Sequence, residues 1–214
     1  MRTRLYLIRH CDVRNPDGVL YGHLPNFGLS DRGTAQAHAL GRYLAQRDVR
    51  RIRTSPLLRA RETADLIASH LDAPRIDTDE DLVEARFGKY LQGVKARQVP
   101  WRRPLWLIHM VLPGLLPQDE TVPAMAARVR RALLRLLDAE PGAPGACISH
   151  GDPIQAFWVE AEGRSRYALH RLQCAKGGLL ELDYEERRLV HLRYVPPQVL
   201  AATPVAAAAG RSHA

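Results

Sequence analysis

The stretch Arg4-Leu5-Tyr6-Leu7-Ile8-Arg9-His10-Cys11 decides the reading of the chain: four apolar residues in a row, bounded by arginines, with a histidine where the run stops. Such a short, continuous run suits a strand buried on both faces. It is too short for a signal-peptide core, and its charged ends place it in a sheet rather than a membrane. A second apolar run, Ala146-Cys147-Ile148-Ser149, ends in His150-Gly151, and residues 49–54 read as a third strand.

Between these strands the apolar residues fall at helical spacing. Ser30 is placed to cap a helix whose buried face holds Ala37, Leu40, Gly41 and Leu44. Ser55-Pro56 reads as the start of another, with Ala60, Ala64, Ile67 and Leu71 on one stripe. Met125, Val129, Ala132, Leu133, Leu136 and Leu137 mark a third, and residues 153–162 a fourth that buries Ile154, Phe157 and Trp158. Residues 168–173, 178–184 and 189–195 read as strands, the last two forming a hairpin that turns at 185–187. Asn15-Pro16-Asp17-Gly18 is turn chemistry inside a long loop. The proline-bearing stretch 77–118 is expected to be a loop with short helical pieces over a cleft.

Alternating strands and helices predict an α/β domain: a three-layer α/β/α sandwich with a central mostly parallel sheet and an antiparallel hairpin at its edge. The domain is expected to span residues 1–195, with the Ala- and Pro-rich 196–214 as a disordered tail. At 214 residues and 46% hydrophobic, the chain is long enough for one good-sized core. Its formal charge of +8 points to an anionic partner without naming one. Only Lys89, Lys95 and Lys176 among the 31 basic residues are lysine. Arginines such as Arg47, Arg50, Arg130 and Arg135 read as solvated helix faces, so any functional arginine must be argued singly. Cys11, Cys147 and Cys174 are odd in number and carry no CxxC pair, which fits a reducing, cytoplasmic setting and no structural zinc.

In a sheet of this kind ligands bind beyond the carboxyl ends of the strands. Arg9-His10 and Ser149-His150-Gly151 both lie there, and Arg59 follows a third strand in Ser55-Pro56-Leu57-Leu58-Arg59-Ala60. Two imidazoles and two guanidinium groups would then share one rim, where helix N-termini already favour anions.

These residues resemble the histidine phosphatase superfamily, in its phosphoglycerate-mutase-like branch. The resemblance runs through Leu7-Ile8-Arg9-His10, Tyr21-Gly22, Leu29-Ser30-Asp31-Arg32-Gly33 with Gln36-Ala37, Ser55-Pro56 with Arg59-Ala60 and Thr63-Ala64, Leu82, Glu84, Phe87-Gly88, Gly93 and Ser149-His150-Gly151. It implies a phosphatase for a small-molecule phosphomonoester, working without a metal or other cofactor through a phosphohistidine on His10. It also implies that Arg9, Arg59 and His150 hold the phosphate and that Glu84 is the general acid and base. Asn15, Tyr21 and His23 are candidate substrate contacts from the loop after His10. The remaining histidines, His38, His70, His109, His170, His191 and His213, receive no role.

The chain departs from the family pattern in two places. Cys11 stands where glycine usually follows the nucleophile, and Pro16 where an asparagine is usual, with Asn15 beside it. A thiol next to the nucleophile raises the expectation of oxidation-sensitive activity. A phosphomutase is the nearest alternative, although no counterpart of the longer mutases' extra segment is evident. His10-x-Asp12 and His150-x-Asp152 raise a metal-dependent phosphohydrolase, but HExxH, a histidine-aspartate doublet and a Cys/His quartet are all missing. An arginine-rich nucleic-acid module is the reading from another class, and no recognised motif or aromatic-interleaved basic run supports it. No membrane span is read, and oligomeric state stays open, a homodimer included.

Overall fold

The computed structural model describes residues 1–86, 91–105, 108 and 120–202. Its centre is the strand expected from the opening stretch, β1 (Arg2–Arg9), in which Leu5, Tyr6, Leu7 and Ile8 are all buried. Successive side chains leave a strand on opposite faces. Tyr6 and Ile8 accordingly join one core, while Leu5 and Leu7 join another.

The first face is covered by α1 (Asp31–Ala45) and α2 (Leu58–Ala68), which contribute Ala37, Leu40, Leu44, Ala60, Ala64 and Ile67. Between these two helices runs β2 (Arg51–Thr54), and after α2 come β3 (Arg75–Thr78) and the one-turn α3 (Val99–Arg102). The second face is covered by α4 (Val122–Ala139) and α5 (Gly151–Ala161), which flank β4 (Gly145–Ser149). Val129, Leu133, Leu136, Ile154 and Phe157 fill that core. Full burial of such side chains is worth about 1.5–3 kcal/mol each, so the two apolar stripes fix which face each helix takes.

With β5 (Leu179–Glu185) and β6 (Arg188–Val195) the sheet has six strands in the order β3-β2-β4-β1-β5-β6. The pairs β3-β2, β2-β4 and β4-β1 are parallel, and β1-β5 and β5-β6 antiparallel. This is the expected three-layer sandwich with its edge hairpin, which turns through Glu186 at φ +55.

Several local expectations are corrected. Residues 168–173 are not a strand: Arg166–Arg171 forms a 3-10 turn, because the Ser165 hydroxyl accepts from the Tyr167 N–H and Gln155 donates to the Leu169 carbonyl. The second helix begins at Leu58 rather than at Ser55-Pro56. The strand β3 was not anticipated; three of its four residues are exposed, so it carries no apolar signal. Within the expected disordered tail, α6 (Pro197–Ala201) packs Leu200 into the core beneath α1, while residues 203–214 lie outside the described residues. Arg135, though its side chain is 41% exposed, is also paired: with Arg131 it grips Asp79 and Asp81 just ahead of Glu84. Arg47 lies over the Tyr43 ring, beside the buried Tyr43–Glu181 bond. Much of the proline-bearing stretch, including Phe87-Gly88, Lys89 and His109, lies outside the described residues.

One glycine is required by a close approach. A Cβ at Gly33, in the first turn of α1, would lie 2.0 Å from the Asp12 carbonyl oxygen, far closer than van der Waals contact allows; that oxygen also accepts from the Ser30 N–H. Because that obstacle is backbone, Gly33→Ala is expected to lower the unfolding free energy by about 1–3 kcal/mol, read from the urea midpoint at unchanged slope.

Candidate active site

The register of β1 against β4 pairs Arg9 with Ser149, and the His10 N–H donates to the Ser149 carbonyl at 2.9 Å. Both strands therefore end at the same level, and the His10 and His150 rings stand 5.1 Å apart between centroids. On the other side of β4, the Ser55 N–H donates to the Ile148 carbonyl at 3.0 Å, which brings the start of the β2–α2 connection to the same rim. Ser55 is missing from α2 because its hydroxyl bonds His150 Nε2 at 2.8 Å.

Arg59, in the first turn of α2, is 1% exposed. Its Nε donates to His10 Nε2 at 3.2 Å and its Nη2 to the Gly22 carbonyl at 2.9 Å. His10 Nδ1 lies 2.8 Å from the Cys11 carbonyl. A carbonyl only accepts and a guanidinium N–H only donates. Nδ1 therefore carries the hydrogen, and Nε2 presents its lone pair toward Arg59.

Burial first, then the charges of Arg59 and Arg9, hold the His10 pKa well below its ordinary value. His150 is lowered in the same way by burial, with Arg59 and His10 adding. Both rings are neutral near pH 7. Burial also lowers Arg59, though a guanidinium stays charged in a protein. Glu84 responds in the opposite direction: burial raises its carboxyl and the charge of Asp152 raises it further. Its Oε2 lies 3.9 Å from His150 Nδ1, and its Oε1 accepts the Ala85 N–H at 2.9 Å.

Two buried polar atoms at this rim, Arg9 Nε and His150 Nδ1, make no hydrogen bond among the described residues. A buried donor or acceptor left unsatisfied costs about 1–3 kcal/mol. The N-terminus of α5 begins directly after His150, two residues earlier than expected, and Gly151 leaves room for the Arg9 guanidinium, which a Cβ there would meet at 3.1 Å. The unpaired Arg9 Nε–H, a helix N-terminus and a second guanidinium together describe an anion site.

The structure thus brings together His10, Arg9, Arg59, His150 and Glu84. The three loop candidates make these contacts. Asn15 bonds the Val19 backbone through both amide atoms, at 2.9 and 3.1 Å, and so closes its own turn. The Tyr21 ring stacks on Phe27 and lies under the Arg59 guanidinium at 4.7 Å. His23 Nε2 donates to the carbonyls of Glu84 and Ala85 at 2.9 and 3.2 Å.

Cys11 adopts no left-handed conformation, so glycine's freedom is not needed there. Its thiol is buried in the core and pushed up to about 12 by burial, which removes the thiolate that an oxidation switch would require. The sequence assigns no site role to Ser55, which it reads as a helix start, or to Thr63, whose hydroxyl accepts from the Cys11 N–H and donates to the Arg59 carbonyl. A threonine on an otherwise apolar helix face was the available signal. Among the described residues no group of three or more His, Cys, Asp and Glu side chains could hold a metal ion, and no helix is long and apolar enough to cross a membrane.

A doubly covered α/β sheet that gathers histidines and arginines around an anion site at its strand ends defines a phosphate-handling protein. Residues 5–195 match the model of the histidine phosphatase superfamily (branch 1). The uncharacterized protein Rv0525 of Mycobacterium tuberculosis is 34% identical over 92% of this chain and 98% of its own. A probable phosphoglycerate mutase, GpmB, of Cronobacter sakazakii is 26% identical over 86% of each chain. The structure of a mycobacterial glucosyl-3-phosphoglycerate phosphatase superposes with a TM-score of 0.76 at 22% identity, covering 91% of this chain and 97% of that one. The chain belongs to the histidine phosphatase superfamily, and membership indicates an enzyme of the phosphatase or phosphomutase kind.

The buried imidazoles give a direct check. In an NMR titration, the ring signals of His10 and His150, assigned through His10→Asn and His150→Asn, are expected to remain those of neutral imidazole until the pH is well below 6.5.

Proposed function

We propose that this protein is a metal-independent phosphatase that hydrolyses a small-molecule phosphomonoester through a phosphohistidine on His10. The observation that carries the reading is the His10 tautomer, with Nδ1–H bonded to the Cys11 carbonyl and Nε2 turned to Arg59. The substrate phosphate competes for the donors of Arg59, Arg9 and His150 and frees the Nε2 lone pair. Nε2 attacks phosphorus as the ester P–O bond breaks, and Glu84 protonates the departing oxygen. Glu84, now a carboxylate, takes a proton from water; the water oxygen attacks phosphorus, the P–N bond breaks, and inorganic phosphate leaves. The guanidinium groups and the α5 N-terminus stabilise the charge on the transferring oxygens, usually the largest catalytic contribution. All three cysteines are free and buried, which suits a reducing compartment, and the reading places the reaction in the cytoplasm.

A phosphomutase is a second reading, favoured by the relative named a probable phosphoglycerate mutase. The first step is the same, and the outcomes separate on product. Across a panel of phosphomonoesters the wild type is expected to release free phosphate, undiminished in excess EDTA, and His10→Ala to lose roughly 1,000-fold or more in kcat/KM. Isomerised product without phosphate release would establish the mutase instead.

The pH dependence follows from the two shifts. His10 must be neutral, so activity is lost as the pH falls through its depressed pKa. Glu84 must be protonated, so activity is lost as the pH rises through its elevated pKa, above 4.5. The profile of kcat/KM is therefore expected to be bell-shaped, and Asp152→Asn to move the alkaline limb toward lower pH by removing a charge that raises Glu84.

A further inference from the structure

Glu84 sits on a segment without helix or strand of its own: the 3-10 turn Glu80–Leu82 ends at Val83, and residues 83–86 are irregular. Backbone of this kind does not hold a carboxyl in place by itself, and its carbonyls show what does. Ser149 Oγ donates to the Leu82 carbonyl at 2.7 Å. Arg128, on α4, donates through Nη1 to the carbonyls of both Asp81 and Val83, at 2.7 and 2.6 Å. The rest of its fork grips Glu120, Nε to Oε1 at 2.7 Å and Nη2 to Oε2 at 3.0 Å. The backbone N–H of Glu120 donates to the Arg86 carbonyl at 2.9 Å. One ion pair therefore holds the chain on both sides of Glu84.

Arg128 is only 6% exposed, and its charge is felt at His150. A buried ion pair adds little net stability over an apolar pair of similar volume, so its distinctive contribution here is geometric. Only the planar guanidinium, with five donors in a fixed fork, can serve two carbonyls and a bidentate carboxylate at once.

We infer that Arg128, held by Glu120, is a positioning residue that aims the Glu84 carboxyl at His150 and the leaving-group oxygen. The inference rests on Glu84 being the general acid. Proton donation matters for an alkyl phosphate, whose alkoxide is a poor leaving group, and hardly for a nitrophenyl phosphate, whose phenolate departs unaided. The two esters thus separate a displaced acid from a damaged fold.

Glu84→Gln is expected to lower kcat/KM on glycerol 2-phosphate by about 100-fold or more, and on p-nitrophenyl phosphate by less than about tenfold. Arg128→Lys keeps the charge but loses the fork, and is expected to show the same selectivity at roughly 10- to 100-fold. Its loss on the aryl ester should stay within about threefold, with inhibition by orthovanadate unchanged, since the phosphate pocket is intact. Glu120→Gln, the milder change should Arg128→Lys not fold, is expected to show the same preference to a smaller degree. Equal losses on both esters with weakened vanadate inhibition would make the clamp merely structural and overturn the inference. So would no loss on the alkyl ester. If Glu84→Gln is itself unselective, the general-acid reading falls and the positioning role with it; if Glu84→Gln is selective and neither clamp variant is, the positioning role alone falls.

Discussion

The pairing of β1 with β4 is the constraint on which the site depends. Arg9 lies opposite Ser149, and the bond from the His10 N–H to the Ser149 carbonyl makes the two strands stop together. Because side chains alternate along a strand, a one-residue slip would turn each strand's apolar set to the wrong core and part the two imidazoles. Tyr6 and Ile8 are shaped to one core and Leu5 and Leu7 to the other, so side-chain fit, with the ladder of hydrogen bonds to β4, opposes that slip and keeps His10 beside His150. The same level is inherited by Ser55 through its bond to the Ile148 carbonyl, and by the first turn of α5 after His150.

Burial then acts on the groups so gathered with opposite signs. It disfavours the charged form of each, so the imidazoles are held neutral while the Glu84 carboxyl is drawn toward its protonated form. On the proposed reading, a neutral nucleophile and a protonated acid are the pair that phosphoryl transfer from an ester needs at its outset. The arginines stay charged under the same desolvation and supply the positive potential for an oxyanion. One environment thus prepares three kinds of side chain for different parts.

The site is also held by backbone carbonyls more than by side-chain pairs. The Cys11 carbonyl sets the His10 tautomer, that of Gly22 receives Arg59, and that of Cys174 receives Arg9 at 2.7 Å. Irregular segments have carbonyls to offer because no ladder occupies them, which is how loops contribute to a rigid centre. The carboxyl is placed in the same manner, through Arg128 and His23 acting on the chain around it.

The sheet, its helical layers and the edge hairpin were legible in the sequence, because strand and helix leave apolar periods set by near neighbours. Leu5 to Ile8, the stripe from Met125 to Leu137, and the turn at residues 185–187 could be read directly, and the order of Arg9-His10, Arg59, Glu84 and Ser149-His150-Gly151 carried the family resemblance. What no local period records is the partner of a polar side chain. Ser55 reads as a helix start and bonds His150; Asn15 and His23, read as candidate substrate contacts, also bond backbone, and Tyr21 also lies against Arg59; Arg135 reads as a solvated face and also joins Asp79 and Asp81. The 3-10 turn at Arg166–Arg171 and the exposed β3 likewise follow from what they pack or pair against. Sequence alone determined the apolar core strands and helices and the chemistry available at their ends. Which donor meets which acceptor was decided only when the fold brought residues many positions apart within about 3 Å, the range over which a hydrogen bond forms.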